Sequence, residues 1–404
     1  MNAPDRVVFV TPWFGTFAGG AERAVRGLAQ GLMARGTAVE VLTTCCGSPY
    51  KPWNEDHLPP GPAVAEGVPV HRFPVDKEGF EKYQAVIVKQ VRGEPVGEAD
   101  QYDFFTHGLA STALVEHIGT LPPEVPVVAC PYFQTIPYTA VRAHPGRVTL
   151  IPAFHDEPEV RWAPVRDMVT GARGLIYLAE EERRLAVRVH GMAGGRKVAE
   201  SPVLGLAVEL PRGFARHLAD DAVLAEVRRR LELPDRFVLY VGRKEAGKGV
   251  VRLVEHHRDF LAARGGDGPP LLVAGGGDDT LIPREPGFRD LGFVSEEDKL
   301  ACMALAGATV NLSRNESFSL VIMESWLCRT PVIADAGSAV TAGHCRRSGG
   351  GIAIADGAGY AAALETLLDP DRGPAMGRAG EAYVRERFHE NTVIDSYQRR
   401  LLGP

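Results

Sequence analysis

Two cations, Arg243 and Lys248, stand five residues apart in the run Val241-Gly242-Arg243-Lys244-Glu245-Ala246-Gly247-Lys248-Gly249. Arginine offers a planar fork of donors and lysine a point charge, so across small residues the two can converge on one diphosphate. The same spacing also suits a solvated turn. Downstream, the run 313–324 carries two carboxylates, Glu316 and Glu324, with seven residues between them. Glu324 falls among Leu320, Val321, Ile322, Met323, Trp326 and Leu327. A carboxylate there is costly without a donor, and either a ribose diol or a structural cation would supply one. The backbone N–H groups at the start of the helix that follows, around Ser319, Leu320 and Val321, suit a phosphate. Fixed cations can stabilise charge developing on a phosphate without a metal. The one Asp-x-Asp, Asp369-Pro370-Asp371, reads as a helix stop, and no Cys or His stands at metal-ligand spacing. The expectation is no metal and no other cofactor.

Both clusters follow a short apolar run and open a helical stretch, the pattern of parallel α/β units. In the second half the runs 237–241, 271–274, 308–312 and 331–334 read as strands. In the first half 7–10, 39–43, 68–73, 104–105, 127–130, 148–152 and 174–178 do so. A Gly-rich turn at 15–20 leads into a helix over 21–35 with the apolar stripe Ala24, Val25, Leu28, Leu32 and Met33. Residues 49–69, rich in proline, read as a long surface loop, and 222–231 as a charged helix between prolines. The stretch 380–402 has helical spacing and is expected to cross back to the first domain. The division is a first domain over 1–208 joined by a helix at 386–404, and a second over 209–385.

Bulk properties agree with a soluble α/β protein of two domains. The 404 residues are 45% hydrophobic and 24% charged, with a formal charge of −6 that offers no general attraction to nucleic acid or anionic membranes. The six cysteines form no CxxC pair, which suits reduced, buried thiols. The expected setting is the cytoplasm: no secretory signal precedes the first strand, and no segment approaches the about 20 apolar residues of a membrane span.

The ordered set of these motifs resembles the retaining glycosyltransferases of family 4, with the GT-B fold of two Rossmann-like domains whose parallel sheets face across a cleft. The likeness rests on G-R-x4-K-G, on the two glutamates, and on Gly275-Gly276-Gly277-Asp278 after a strand. It rests also on Leu291-Gly292-Phe293-Val294 and Thr330-Pro331-Val332-Ile333-Ala334. In the first half, Gly19-Gly20-Ala21-Glu22 is similar to the family's loop whose backbone approaches the donor phosphate. The resemblance implies that Arg243 and Lys248 grip the diphosphate, that Glu316 contacts the transferred sugar, and that Glu324 binds the ribose. It places Gly275 and Phe293 near the nucleotide, with Gly19 and Gly20 on its phosphate. His155, in Phe154-His155-Asp156-Glu157-Pro158, is similar to the histidine that hydrogen-bonds the sugar, with His107 a rival and Asp156 a candidate towards the acceptor or a helix cap.

Retention by front-face attack, with a donor phosphate oxygen taking the acceptor's proton, follows from the family. Partners would be a UDP or GDP sugar and a carbohydrate or small-molecule hydroxyl acceptor. Peripheral membrane association would follow if that acceptor is lipid-linked. The His-Asp-Glu-Pro run and residues 341–351 resemble a bacterial branch serving polysaccharide or natural-product assembly. Two departures stand out. Glu316-Ser317-Phe318-Ser319 replaces E-G-F-G, placing serines where positive φ is expected, and no PNG turn opens the linker. Trp53 and Tyr138 are aromatics available to stack on an acceptor or to pack loops. The competing readings are a nucleotide-sugar epimerase of the same fold and a non-catalytic sugar-nucleotide-binding protein.

Overall fold

The computed structural model describes residues 6–15, 19–211, 213–217 and 220–403. The chain forms two compact units, Met1–Ala207 with Asn391–Pro404, and Val208–Glu390.

The first unit is a seven-stranded sheet. Its strands are β1 (Arg6–Val10), β2 (Ala38–Thr44), β3 (Gly61–Ala65), β4 (Val68–Phe73), β5 (Val127–Ala129), β6 (Val148–Leu150) and β7 (Gly174–Leu175), in the order β3-β4-β2-β1-β5-β6-β7. All neighbours run parallel except β3 against β4. The helices are α1 (Gly20–Ala34), α2 (Phe80–Val91), α3 (Glu98–His107), α4 (Thr112–Thr120), α5 (Thr135–Ala143), α6 (Ala163–Gly171) and α7 (Glu180–Glu200).

The second unit carries α8 (Phe214–His217), α9 (Asp221–Arg230), α10 (Val250–Ala263), α11 (Glu296–Leu305), α12 (Leu320–Leu327), α13 (Ala339–Ser348), α14 (Gly357–Leu367) and α15 (Arg372–Arg387). The last helix, α16 (Glu390–Leu402), clusters with the first unit from its second residue on. There its Tyr397 hydroxyl donates to the Gly205 carbonyl at 3.0 Å and Asp395 pairs with Arg35 at 2.8 Å.

The second unit's strands are β8 (Val238–Val241), β9 (Leu271–Ala274), β10 (Phe288–Gly292), β11 (Ala308–Asn311), β12 (Val332–Asp335) and β13 (Gly351–Ile354), all parallel in the order β10-β9-β8-β11-β12-β13. The inner strands β8, β9, β11 and β12 are buried on both faces, which is why their sequences are largely apolar. The edge strand β10, by contrast, carries Arg289 and Asp290 and is half-exposed. Alternate residues go to opposite sides: Val238 and Tyr240 pack with Leu253, Phe260 and Tyr360, whereas Leu239 packs with Leu300 and Met303. The strand order reverses between β8 and β11. Their carboxyl ends therefore flank the crevice in which open α/β sheets bind ligands.

Three expectations need correction. Phe104 and Phe105 are not a strand; they lie in α3, where Asp100 caps the helix start by accepting the Gly97 N–H at 2.9 Å. Both rings are buried against Phe133 and Trp162, so the helix keeps them by packing where their type suggests a strand. The proline-rich 49–69 segment is not all loop, because β3 pairs with β4 there. The C-terminal stretch is two helices, broken at Phe388, whose ring packs edge-on to Phe318 at 4.9 Å. Of the Gly-rich turn at 15–20, residues 16–18 lie outside the described residues.

Candidate functional site

Lys248 and Glu316, which leave adjacent strands at the reversal, meet. The chain leaves β8 through Gly242 and Arg243, makes a short turn over Ala246–Lys248, and enters α10 at Gly249. Gly249 has φ 76°, and a Cβ there would lie 2.2 Å from the Leu312 carbonyl oxygen, so only glycine lets this turn press on the end of β11. That approach places Lys248 Nζ 3.1 Å from Glu316 Oε1. The pair is half-buried, the side chains 34% and 15% exposed. Arg243 lies further out and pairs with Glu245 at 2.9 Å. Its carbonyl accepts the Tyr240 hydroxyl at 2.8 Å. Burial, with the Glu316 and Glu245 charges adding, holds Tyr240 protonated as that donor.

The loop from Glu316 to α12 adopts the conformation expected of glycine although serine occupies it. Ser319, the N-cap of α12, has φ 68°. Its hydroxyl accepts the Asn311 side-chain N–H at 2.9 Å, and Asn311 in turn accepts the Ser313 N–H at 2.9 Å. The Ser319 side chain does not cap the helix. The amides of Leu320 and Val321 thus head α12 beside Glu316. Phe318 anchors the loop, buried edge-on against His344 and Phe388. His344 accepts the Tyr383 hydroxyl at 2.9 Å, and burial, with Arg347 and Arg387 adding, lowers its pKa to about 3, so the imidazole is neutral. Nothing in the sequence pattern singled out His344.

Glu324, on the next turns of α12, is 4% exposed and receives Lys299 of α11 at 2.9 Å. Lys299 also meets Glu296 at 2.7 Å. The sequence left a structural cation or a ribose open for Glu324; the structure supplies the cation. Gly275 has φ 143°, and a Cβ there would lie 2.0 Å from the Gly242 carbonyl oxygen, so this glycine packs the turn after β9 onto the turn after β8. Phe293 is 81% exposed, just past β10. Below it Lys244, which sequence reasoning passed over, is buried between Asp279 and Asp290, the latter at 2.7 Å. Burial opposes its charge, but the two carboxylates outweigh that and hold its proton above the usual lysine range. Asp290 also accepts the Gly292 N–H at 2.8 Å, so Lys244 fixes the turn that presents Phe293.

In the first unit, Gly19 is the N-cap of α1 and Gly20 its exposed first residue. The Glu22 carboxylate folds over Gly19 so closely that a Cβ would lie 1.7 Å from its Oε2. His155 follows β6, with Nδ1 3.7 Å from Glu157 Oε1, and Glu157 accepts the Tyr132 hydroxyl. Burial raises the Glu157 pKa, but these two donors outweigh it and hold the carboxyl below its usual range. Asp156 is exposed between Arg161 at 2.6 Å and Arg188 at 2.7 Å; the N-cap of the following 3-10 turn is Glu157, so Asp156 does not cap it. His107 ends α3, 3.6 Å from Asp103, and does not follow a strand. Tyr138 is buried core, with its hydroxyl accepting from Arg142 at 3.1 Å, whereas Trp53 is half-buried between Trp13 and Tyr83.

Among the described residues no three His, Cys, Asp or Glu side chains are grouped to hold a metal ion, and no helix is long and apolar enough to cross a membrane. Asp369 accepts the N–H groups of Asp371 and Arg372 at 3.0 and 2.9 Å, forming the turn into α15. All six cysteines are free and buried.

Two family models match the chain: "Glycosyl transferase 4-like domain" over residues 19–202 and "Glycosyl transferases group 1" over 235–370. The chain is 28% identical over 396 residues to the D-inositol 3-phosphate glycosyltransferase of Acidothermus cellulolyticus, covering 93% of this chain and 84% of that protein. The structure of HepE from Anabaena, in complex with UDP and glucose, matches with a TM-score of 0.66 at 17% identity, over 98% of this chain and 99% of that one. The α,α-trehalose 6-phosphate synthase of Burkholderia multivorans matches with a TM-score of 0.71 at 13% identity, over 99% and 98%.

Proposed function

The chain belongs to the glycosyltransferases of family 4 and has the GT-B fold, and on that footing we propose that it transfers a sugar from a nucleoside-diphosphate sugar to a hydroxyl acceptor, with retention and without a metal. The observation that carries this reading is the meeting of Lys248 and Glu316 at 3.1 Å where the strand order reverses, beside the start of α12. As the nucleoside diphosphate departs, its phosphates gain charge. Lys248, Arg243 and the amides at the head of α12 answer that charge from fixed positions, which is electrostatic preorganisation. Glu316 addresses the hydroxyls of the transferred sugar, and Lys248 orients its carboxylate. Glu324, held by Lys299, is pre-set towards the ribose, and Phe293 offers a flat face to the base.

By the same resemblance His155 would address the transferred sugar and Gly20 the donor phosphate. The acceptor proton passes to a donor phosphate oxygen as the acceptor oxygen attacks from the face the diphosphate leaves, so no protein base is required. Work in the cytoplasm belongs to the same proposal. Relatives named for D-inositol 3-phosphate make polyol phosphates the first acceptors to try.

A thermal-shift screen of UDP, GDP and their sugars identifies the donor, and nucleotide release is then followed with and without EDTA. Turnover unchanged by EDTA and a product with the donor's anomeric configuration are expected. Inversion, or loss of turnover in EDTA, would overturn the mechanism. Conversion of the donor without acceptor would make the protein an epimerase, and binding without any turnover would make it a carrier.

A further inference from the structure

The first turn of α7 holds a carboxylate that helix capping does not explain. Ala179, its N-cap, has no side-chain acceptor, and Glu182 sits at the third helical position, from which glutamate commonly reaches back to the N-cap backbone. Its Oε2 reaches one residue further back, accepting the Leu178 N–H at 2.6 Å. A carboxylate that only answers the helix dipole can stay near the surface, as Glu180 does with a side chain 32% exposed. Glu182 is 1% exposed. Its Oε1 turns away from α7 and accepts the Phe154 N–H at 2.8 Å, across 28 residues of chain.

Ala153 has φ 55°, a conformation an L side chain seldom adopts. That turn directs the Phe154 N–H at Glu182. The titratable groups around it, Cys130, Tyr177 and Tyr397, are all kept neutral by burial and supply no counter-ion. Burial without a counter-ion raises the Glu182 carboxyl pKa to about 8. Only a side chain with two acceptor oxygens can hold the turn after β6 and the turn after β7 together.

The turn after β6 is the one that carries His155. Phe154 is buried edge-on against Tyr132 at 4.8 Å, and Tyr132 binds Glu157, which faces the His155 ring. We infer that Glu182 is the positioning residue of this loop: it fixes the backbone under His155 while Glu157 fixes the ring. The inference rests on His155 contacting the transferred sugar.

The test compares Glu182→Gln, His155→Ala and the double variant in the full chain, with nucleotide sugar and acceptor. An amide nitrogen cannot accept, so Glu182→Gln leaves one of the two turns without its acceptor. kcat should fall by about 10- to 100-fold, the scale of a misplaced contact group, with the donor KM within about threefold. In the His155→Ala background the same change should cost less than about threefold, because there is no imidazole left to misplace. An equal loss in both backgrounds means general structural damage and overturns the inference. Full activity of His155→Ala overturns the reading of His155 itself, and is seen without any change at Glu182. A measurement on the unaltered protein stands apart from folding of the variants. The Phe154 and Leu178 amides, both outside strands, should exchange hydrogen as slowly as β6, and exchange at loop rates would refute the tie.

Discussion

Lys248→Met removes the ammonium 3.1 Å from Glu316 while keeping most of the side chain's bulk. If Lys248 acts on the departing diphosphate, the loss is that of one preorganised electrostatic contact, about 10²- to 10³-fold in kcat, or roughly 3–4 kcal/mol. The pair geometry allows a rival account. Lys248 could serve only to neutralise Glu316, whose side chain is 15% exposed and whose bare charge would repel the phosphates. The two accounts separate in a double-mutant cycle with Glu316→Gln, measured as kcat and kcat/KM with saturating acceptor. Glu316→Gln carries its own cost because Glu316 addresses the sugar, so the double variant is compared with Glu316→Gln alone. A neutralising Lys248 is no longer needed once Glu316 is uncharged, and Lys248→Met then costs less than about threefold in that background. A Lys248 that works on the diphosphate costs about as much there as in the original. A cost below about threefold in the Glu316→Gln background, or a Lys248→Met enzyme within about threefold of the original, refutes the role assigned to Lys248.

Gly249→Ala should destabilise the second unit, since the new Cβ would stand 2.2 Å from the Leu312 carbonyl oxygen in a left-handed conformation. The left-handed backbone alone costs about 1 kcal/mol, and a backbone shift brings the total to about 3 kcal/mol, or roughly 6–12 °C in Tm by calorimetry; an unchanged melting transition would contradict the close approach. Burial raises the Glu182 carboxyl pKa to about 8 from its ordinary 4.5. A raised carboxyl pKa contributes stability below pH 4.5 that is lost as pH rises towards 8, on the order of a few kcal/mol. Glu182→Gln should therefore flatten denaturant-measured stability between pH 5 and about 8 relative to the unaltered chain, and parallel pH profiles would show that Glu182 does not titrate in that window.

The second unit was the more legible half because its chemistry is local. Each cluster, 242–249 and 313–324, sits within one strand-turn-helix unit, so apolar runs and turn residues locate it without knowledge of the rest of the chain. That Lys248 meets Glu316 follows from the strand order, which brings β8 beside β11. What stayed hidden depends on distant partners. Lys244 reads as one more charged residue in a turn, and only Asp279 and Asp290, 35 and 46 residues away, make it a buried cation. Glu324 could not be resolved from sequence because Lys299 comes from another helix. Phe104 and Phe105 misled in the opposite way: aromatic pairs favour strands, but burial against Phe133 and Trp162 in α3 decides their conformation.

Ser319 shows how a serine can hold the backbone conformation expected of a glycine. A serine held at φ 68° costs of order 1 kcal/mol over glycine, which is why glycine is the expected residue. The hydrogen bond from Asn311, at 2.9 Å and buried, contributes a comparable amount in the other direction. Asn311 closes β11 and also receives the Ser313 N–H, so one side chain braces both ends of the loop that carries Glu316. The conformation that glycine would adopt freely is here imposed by a neighbour. A reading based on residue type alone finds a missing glycine; a reading that includes Asn311 finds its conformation kept by a different bond.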